Sequence, residues 1–141
     1  MNVIIQNNFY ASFTSIGFII GKLKEELIKY GFASERINEV CLVVDEMVSN
    51  IIKYAYNKDK NRVFFFEALL INNNTIQLTF EDDGPQFDLL QYIKTPNYDV
   101  PIEDLPIGGL GIKFVKEVSS HISYTFTPEK KNRVIVEKKM K

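Results

Sequence analysis

The sequence is poor in features that would place it outside an ordinary reducing compartment. Cys41 is the single cysteine among 141 residues, so no internal disulfide can form. Positive charge is not in excess: 17 Lys and Arg face 18 Asp and Glu, for a formal net charge of −1. That balance supplies no general attraction to DNA or to an acidic membrane surface. The longest apolar runs, such as 64–66 and 68–71, fall far short of the ~20 residues that a bilayer-spanning helix requires. The opening MNVIIQNNFY lacks the basic segment and long apolar core of a signal peptide. No repeat, low-complexity tract or Ser/Gly linker marks a boundary. These absences predict a cytoplasmic chain with one domain over residues 1–141. With 45% hydrophobic and 25% charged residues the composition is that of a globular protein. A chain of this length buries roughly two-thirds of its unfolded surface, enough for one core.

Two halves with different periodicity follow. Val3-Ile4-Ile5 reads as a short edge strand. From about Ala11 to Tyr30, Ile16, Ile20, Leu23, Leu27 and Tyr30 step by four and three, which predicts a helix that stops at Gly31. Ser34 is the expected N-cap of a second helix, with Glu35 and Glu39 near its positive end. Its apolar stripe is Ile37, Cys41, Val44, Val48 and Ile51, and Asn57 and Asp59 end it. Residues 62–71 and 75–81 are rich in aromatic and β-branched types and are joined by Asn72-Asn73-Asn74, a hairpin signal. Pro85 to Pro106 shows no periodicity and reads as a lid. A short helix from about Gly111 carries Ile112, Val115 and Val118, and 121–127 with 132–139 form a closing hairpin. This segregated order predicts α+β architecture, with helices on one face of a mostly antiparallel sheet.

Three segments hold residues suited to chemistry. On the second helix, Asp45, Glu46, Ser49, Asn50 and Lys53 gather where the apolar stripe predicts none. Glu46 and Asn50 lie four apart and share a face. A carboxylate is a general base and an amide oxygen is a hard magnesium ligand, although a solvated helix face carries the same residue types. Glu81-Asp82-Asp83-Gly84-Pro85 follows a strand and reads either as a turn or as a strand-end carboxylate facing a cleft. Gly108-Gly109-Leu110-Gly111 precedes the third helix, where backbone N–H groups and the helix dipole favour an anion; a hinge uses the same glycines. It matches neither the Walker loop nor the dinucleotide fingerprint. His121, at the start of a strand, and Cys41, on the apolar stripe, read as structural. Phe64-Phe65-Phe66 reads as sheet.

In combination and order these segments carry a resemblance. Glu46-x-x-x-Asn50-x-x-Lys53-Tyr54-Ala55-Tyr56, then Asp82-x-Gly84, then Gly109-x-Gly111, resembles the N, G1 and G2 boxes of the Bergerat-fold (GHKL) ATPases. DDGPQFD (82–88), GGLGI (108–112) and NRVIVEKK (132–139) resemble the anti-sigma-factor serine/threonine kinases within that superfamily. The resemblance spans nearly the whole chain.

It implies an α/β two-layer sandwich with an ATP lid, and ATP and Mg²⁺ as cofactors. By position, it makes Asp82 the acceptor of the adenine amino group, with Gly84 letting the base pack close. Asn50 becomes the Mg²⁺ ligand and Glu46 the catalytic base. Lys53 reaches a phosphate, while Gly108, Gly109, Leu110 and Gly111 wrap the phosphates. Two departures stand out: Tyr54 occupies a place where some of these kinases carry His, and Val134-Ile135-Val136 lacks the hydroxyl that many place near adenine. The implied function is an anti-sigma regulatory factor that phosphorylates Ser or Thr on a small STAS-type anti-sigma-factor antagonist. A sigma factor is a second implied partner, and homodimer formation a further implication, with Phe9, Phe13 and Phe18 as interface candidates. No direct nucleic-acid or membrane contact is implied. The alternatives are a partner-switching module that binds ATP without transferring phosphate, and a detached sensor-kinase ATPase domain.

Overall fold

A computed structural model describes residues 1–91 and 109–141. Strand β1 (Asn2–Tyr10) leads into helix α1 (Phe13–Lys29) and helix α2 (Ser34–Asn50), which continues as a π-helical turn, Ile51–Ala55. Strands β2 (Val63–Asn72) and β3 (Thr75–Asp82) follow. Helix α3 (Gly109–Val118) precedes strands β4 (His121–Phe126) and β5 (Asn132–Lys139). The sheet order is β1-β2-β3-β5-β4, and every neighbouring pair is antiparallel.

Alternation along the strands decides which face is covered. In β2 the buried positions are Phe64, Phe66, Ala68 and Leu70; in β5 they are Asn132, Val134, Val136 and Lys138. The apolar ones among these side chains join Ile16, Ile19, Leu23 and Leu27 of α1, Val40, Val44, Met47 and Val48 of α2, and Ile112 and Val115 of α3 in one core. Phe65, Leu69, Ile71 and Ile135 point to the other face and stay half-exposed. The architecture is therefore a two-layer α+β sandwich, as the element order predicts.

Local expectations need four corrections. β1 runs over nine residues rather than three, because backbone pairing with β2 carries it through polar Gln6, Asn7 and Asn8. On α1, Ile19 is fully buried, whereas Ile20 is only partly covered and Tyr30 is 44% exposed. Ala33 holds the N-cap position of α2, without a side-chain hydrogen bond, and Ser34 is the first helical residue. The α2 helix proper ends at Asn50, and the predicted extension toward Asn57 is the π turn. Gly31 fits its expected role, with φ +79° just past α1.

A lysine is buried in the core. The Lys138 ammonium donates to the Val118 carbonyl at 2.9 Å and lies 3.5 Å from the Glu39 carboxylate. It thereby ties the C-terminus of α3 to α2. Cys41 is buried and burial pushes its thiol pKa up, consistent with a packing role.

Candidate functional site

The site begins where α2 changes pitch. Glu46 and Asn50 are half-buried one turn apart, and Ser49 donates to Asp45 at 3.3 Å, so Asp45 is engaged along the helix. The π turn then widens the backbone directly after Asn50; such turns recur at functional sites. Its residues Ile51, Tyr54 and Ala55 face a cavity of about 200 Å³. Met47 and Asn50 line the same cavity from α2, Phe80, Asp82, Asn132 and Val134 from the sheet, and Ile112 from α3. Pro85, Gln86, Phe87 and Leu89, the first part of the expected lid, complete the described wall. The remainder of that expected lid, from residue 92 to Pro106, lies outside the described residues.

Close contacts explain two of the glycines. A Cβ on Gly84 would stand 2.9 Å from both Ala55 Cβ and Ala55 O. The end of β3 thus abuts the π turn, and only a residue without a side chain fits. A Cβ on Gly111 would fall 1.8 Å from Glu46 Oε2. The first turn of α3 therefore rests against the Glu46 carboxylate.

A hydrogen-bonded frame fixes the chain around Asp82. The buried Tyr56 hydroxyl donates to Val63 O at 2.6 Å and accepts from the Asp83 N–H at 3.0 Å. The Arg62 guanidinium donates to Asp83 Oδ1 at 2.6 Å and sits 4.2 Å above the Tyr56 ring. That guanidinium holds the Asp83 carboxyl below its ordinary range, while burial pushes the Tyr56 phenol up. Asp82 is different: burial raises its pKa, partly opposed by hydrogen bonds from Asn132 and the Gly84 N–H. Both bonds go to Oδ1, at 3.0 and 2.9 Å.

The cavity thus joins Asn50 and Asp82, from opposite layers, with Gly84 against its wall and Glu46 beside α3. Lys53 is exposed on the π turn and is not among the residues lining the cavity. Gly109 and Leu110 open α3, and Gly108 falls outside the described residues. His121 is exposed at the start of β4, the position its sequence context predicts. Asn132 is a site residue the sequence reading passes over. It opens β5 directly opposite Asp82 in the β3–β5 register, which becomes visible only once the two strands are aligned.

The donor set suits a metal held chiefly by a ligand. Among the described residues no group of three or more His, Cys, Asp or Glu side chains converges on a point. Asn50 contributes one neutral oxygen at the cavity wall, the kind of sparse protein ligation magnesium uses when phosphates supply the other oxygens.

Known proteins share parts of this sequence and fold. The Serine-protein kinase RsbW of Bacillus cereus (strain AH820) is 28% identical over 97 residues, which cover 67% of this chain and 59% of the relative. The same protein from Bacillus thuringiensis (strain Al Hakam) aligns to the same extent. The matched region is thus about three-fifths of the length of these curated relatives. Among solved structures, the crystal structure of the SiaB-SiaC complex from Pseudomonas aeruginosa contains a chain that superposes with TM-score 0.71 at 19% identity. The match covers 97% of this chain and 90% of that one, a likeness of fold. The family model "Histidine kinase-like ATPase domain" matches residues 11–138. With most of its length matched by that model, the chain belongs to the histidine kinase-like ATPase domain family.

Proposed function

We propose that this chain binds ATP with Mg²⁺ in the cavity between α2 and the sheet, and transfers the γ-phosphoryl group to Ser or Thr of a small antagonist protein. The observation that carries the reading is the convergence of Asn50 and Asp82 on one cavity, with Glu46 packed against Gly111 at the start of α3. The apolar walls from Met47, Ile51, Phe80 and Val134 suit a flat base. Asp82 Oδ2, which makes no hydrogen bond among the described residues, accepts the adenine amino group. Asn50 would hold Mg²⁺, which would supply positive charge to neutralise the phosphates. Backbone N–H groups at the start of α3 face the same anion. Glu46 takes the proton from the attacking hydroxyl; its oxygen bonds to the γ-phosphorus as the bond to the bridging oxygen breaks and ADP leaves. Lys53 contributes long-range attraction from the surface.

Similarity to a serine-protein kinase supports a protein substrate; the proposed partners are a STAS-type antagonist and a sigma factor held in exchange, within the cytoplasm. A homodimer belongs to the same reading. Phe13 and Phe18 are 56% and 62% exposed on α1, and the Phe18 ring packs tilted against Phe9 with centroids 6.0 Å apart. The test combines calorimetric titration with ATP-Mg²⁺ and incubation with labelled ATP and candidate antagonists. Absence of nucleotide binding ends the proposal. Nucleotide and antagonist binding without label transfer replaces the kinase with a partner-switching module.

A further inference from the structure

Asn132 is buried, 6% exposed, and every polar atom of its side chain is engaged. Its amide nitrogen donates to Asp82 Oδ1 at 3.0 Å, Gly84 O at 3.2 Å and Pro85 O at 2.9 Å. Its amide oxygen accepts from the Phe87 N–H at 3.0 Å and from the Tyr124 hydroxyl. A buried amide satisfied on all sides is held in one orientation, because turning it over would set acceptors against acceptors.

This arrangement acts on Asp82. The carboxylate is largely withdrawn from water, and burial raises its pKa. Its Oδ1 is committed to Asn132 and to the Gly84 N–H, which leaves Oδ2 as its unengaged acceptor among the described residues. The same amide fastens Gly84, Pro85 and Phe87, so the chain leaving β3 cannot shift without disturbing the carboxylate. We infer that Asn132 is the positioning residue for base recognition: it fixes the Asp82 side chain so that one oxygen is presented to the exocyclic amino group of a purine. The inference rests on the proposed nucleotide binding and deepens it by naming what sets the base preference. It also accounts for a strand without a hydroxyl at Val134, since the polar group stands two residues earlier on the same face of β5.

The test compares calorimetric affinities for ATP and for purine riboside triphosphate, which keeps the ring and triphosphate and lacks the amino group. In the wild type the missing charge-assisted hydrogen bond separates the two ligands by about ten- to a hundredfold. Asn132→Ala is expected to lower that ratio about tenfold, weakening ATP more than purine riboside triphosphate. In an Asp82→Asn background it should change the ratio less than about twofold, as residues acting through one contact do. Asn132→Asp is a second variant in case Asn132→Ala does not fold. It keeps the shape and the acceptor for Phe87, but two carboxyl groups about 3 Å apart share a proton, which weakens the Asp82 acceptor and again lowers the ratio. Equal weakening of both ligands, with an unchanged ratio, overturns the inference and leaves nucleotide binding standing. A wild type that binds neither ligand overturns both.

Discussion

Gly111→Ala separates a catalytic defect from a folding defect. The added methyl carbon would stand 1.8 Å from Glu46 Oε2 and 2.4 Å from Glu46 Cδ, against an ordinary contact of at least 3.4 Å. The obstacle is the far end of a flexible side chain rather than backbone, so the carboxylate withdraws by about 1.6 Å or more and the fold accommodates it. Alanine also suits a helix better than glycine, by about 1 kcal/mol. The variant should therefore melt within a few degrees of the wild type and keep its ATP affinity. Displacing a catalytic group by about 1 Å costs on the order of a hundredfold in rate. Phosphotransfer to the antagonist should fall by that factor, measured as initial rate of label incorporation at saturating ATP. Gly84→Ala is the matched control, because its methyl meets backbone, Ala55 O, at 2.9 Å, and overpacking there should cost about 1–3 kcal/mol of stability. A Gly111→Ala variant that transfers phosphate at the wild-type rate would show that Glu46 is not placed by this contact, or is not the base.

Glu46→Ala should abolish detectable transfer while calorimetry finds ATP affinity nearly unchanged; Asn50→Ala should in addition lose the Mg²⁺ dependence of binding. Asp82→Asn should weaken ATP binding about ten- to a hundredfold and stabilise the empty protein. The sign follows from burial: the folded-state pKa of Asp82 is raised, so wild-type stability declines as pH climbs from the ordinary aspartate range through that raised value. Denaturant melts should find the variant's advantage absent at low pH and growing through that window; a pH-independent difference would contradict it. Phe18→Glu should shift light scattering toward the monomer if α1 forms the dimer contact, and an unchanged mass at high micromolar concentration would argue against that surface.

Much of this was legible because side-chain periodicity reports on burial. The α2 stripe from Ile37 to Val48 is buried, and the 62–71 and 75–81 segments became the paired β2 and β3. The order of the boxes places Asn50 and Asp82 in one site, and both line the cavity. Features decided by tertiary pairing were not legible. Gln6, Asn7 and Asn8 have little strand preference of their own, yet β2 extends β1 through them. The π turn depends on its packing against Gly84 and the sheet, which helix propensity alone does not encode. Asn132 reads from the sequence only as the first residue of the closing NRVIVEKK strand, since its role at the site lies in the residue across the ladder.

The position of β5 affects how the protein comes into being. It follows β3 and β4 in the sequence but lies between them in the sheet. During synthesis, β3 emerges with its inner edge unpaired and waits for a partner some fifty residues downstream, Asp82 for Asn132. Every pairing made by that edge is long-range, the kind of closure that slows folding and leaves strands open to misassociation. Asp82 therefore lies in a half-formed sheet until the last strand inserts. A nascent or truncated chain ending before residue 132 lacks the wall that Asn132 and Val134 give the cavity, and should bind ATP far more weakly than the whole chain.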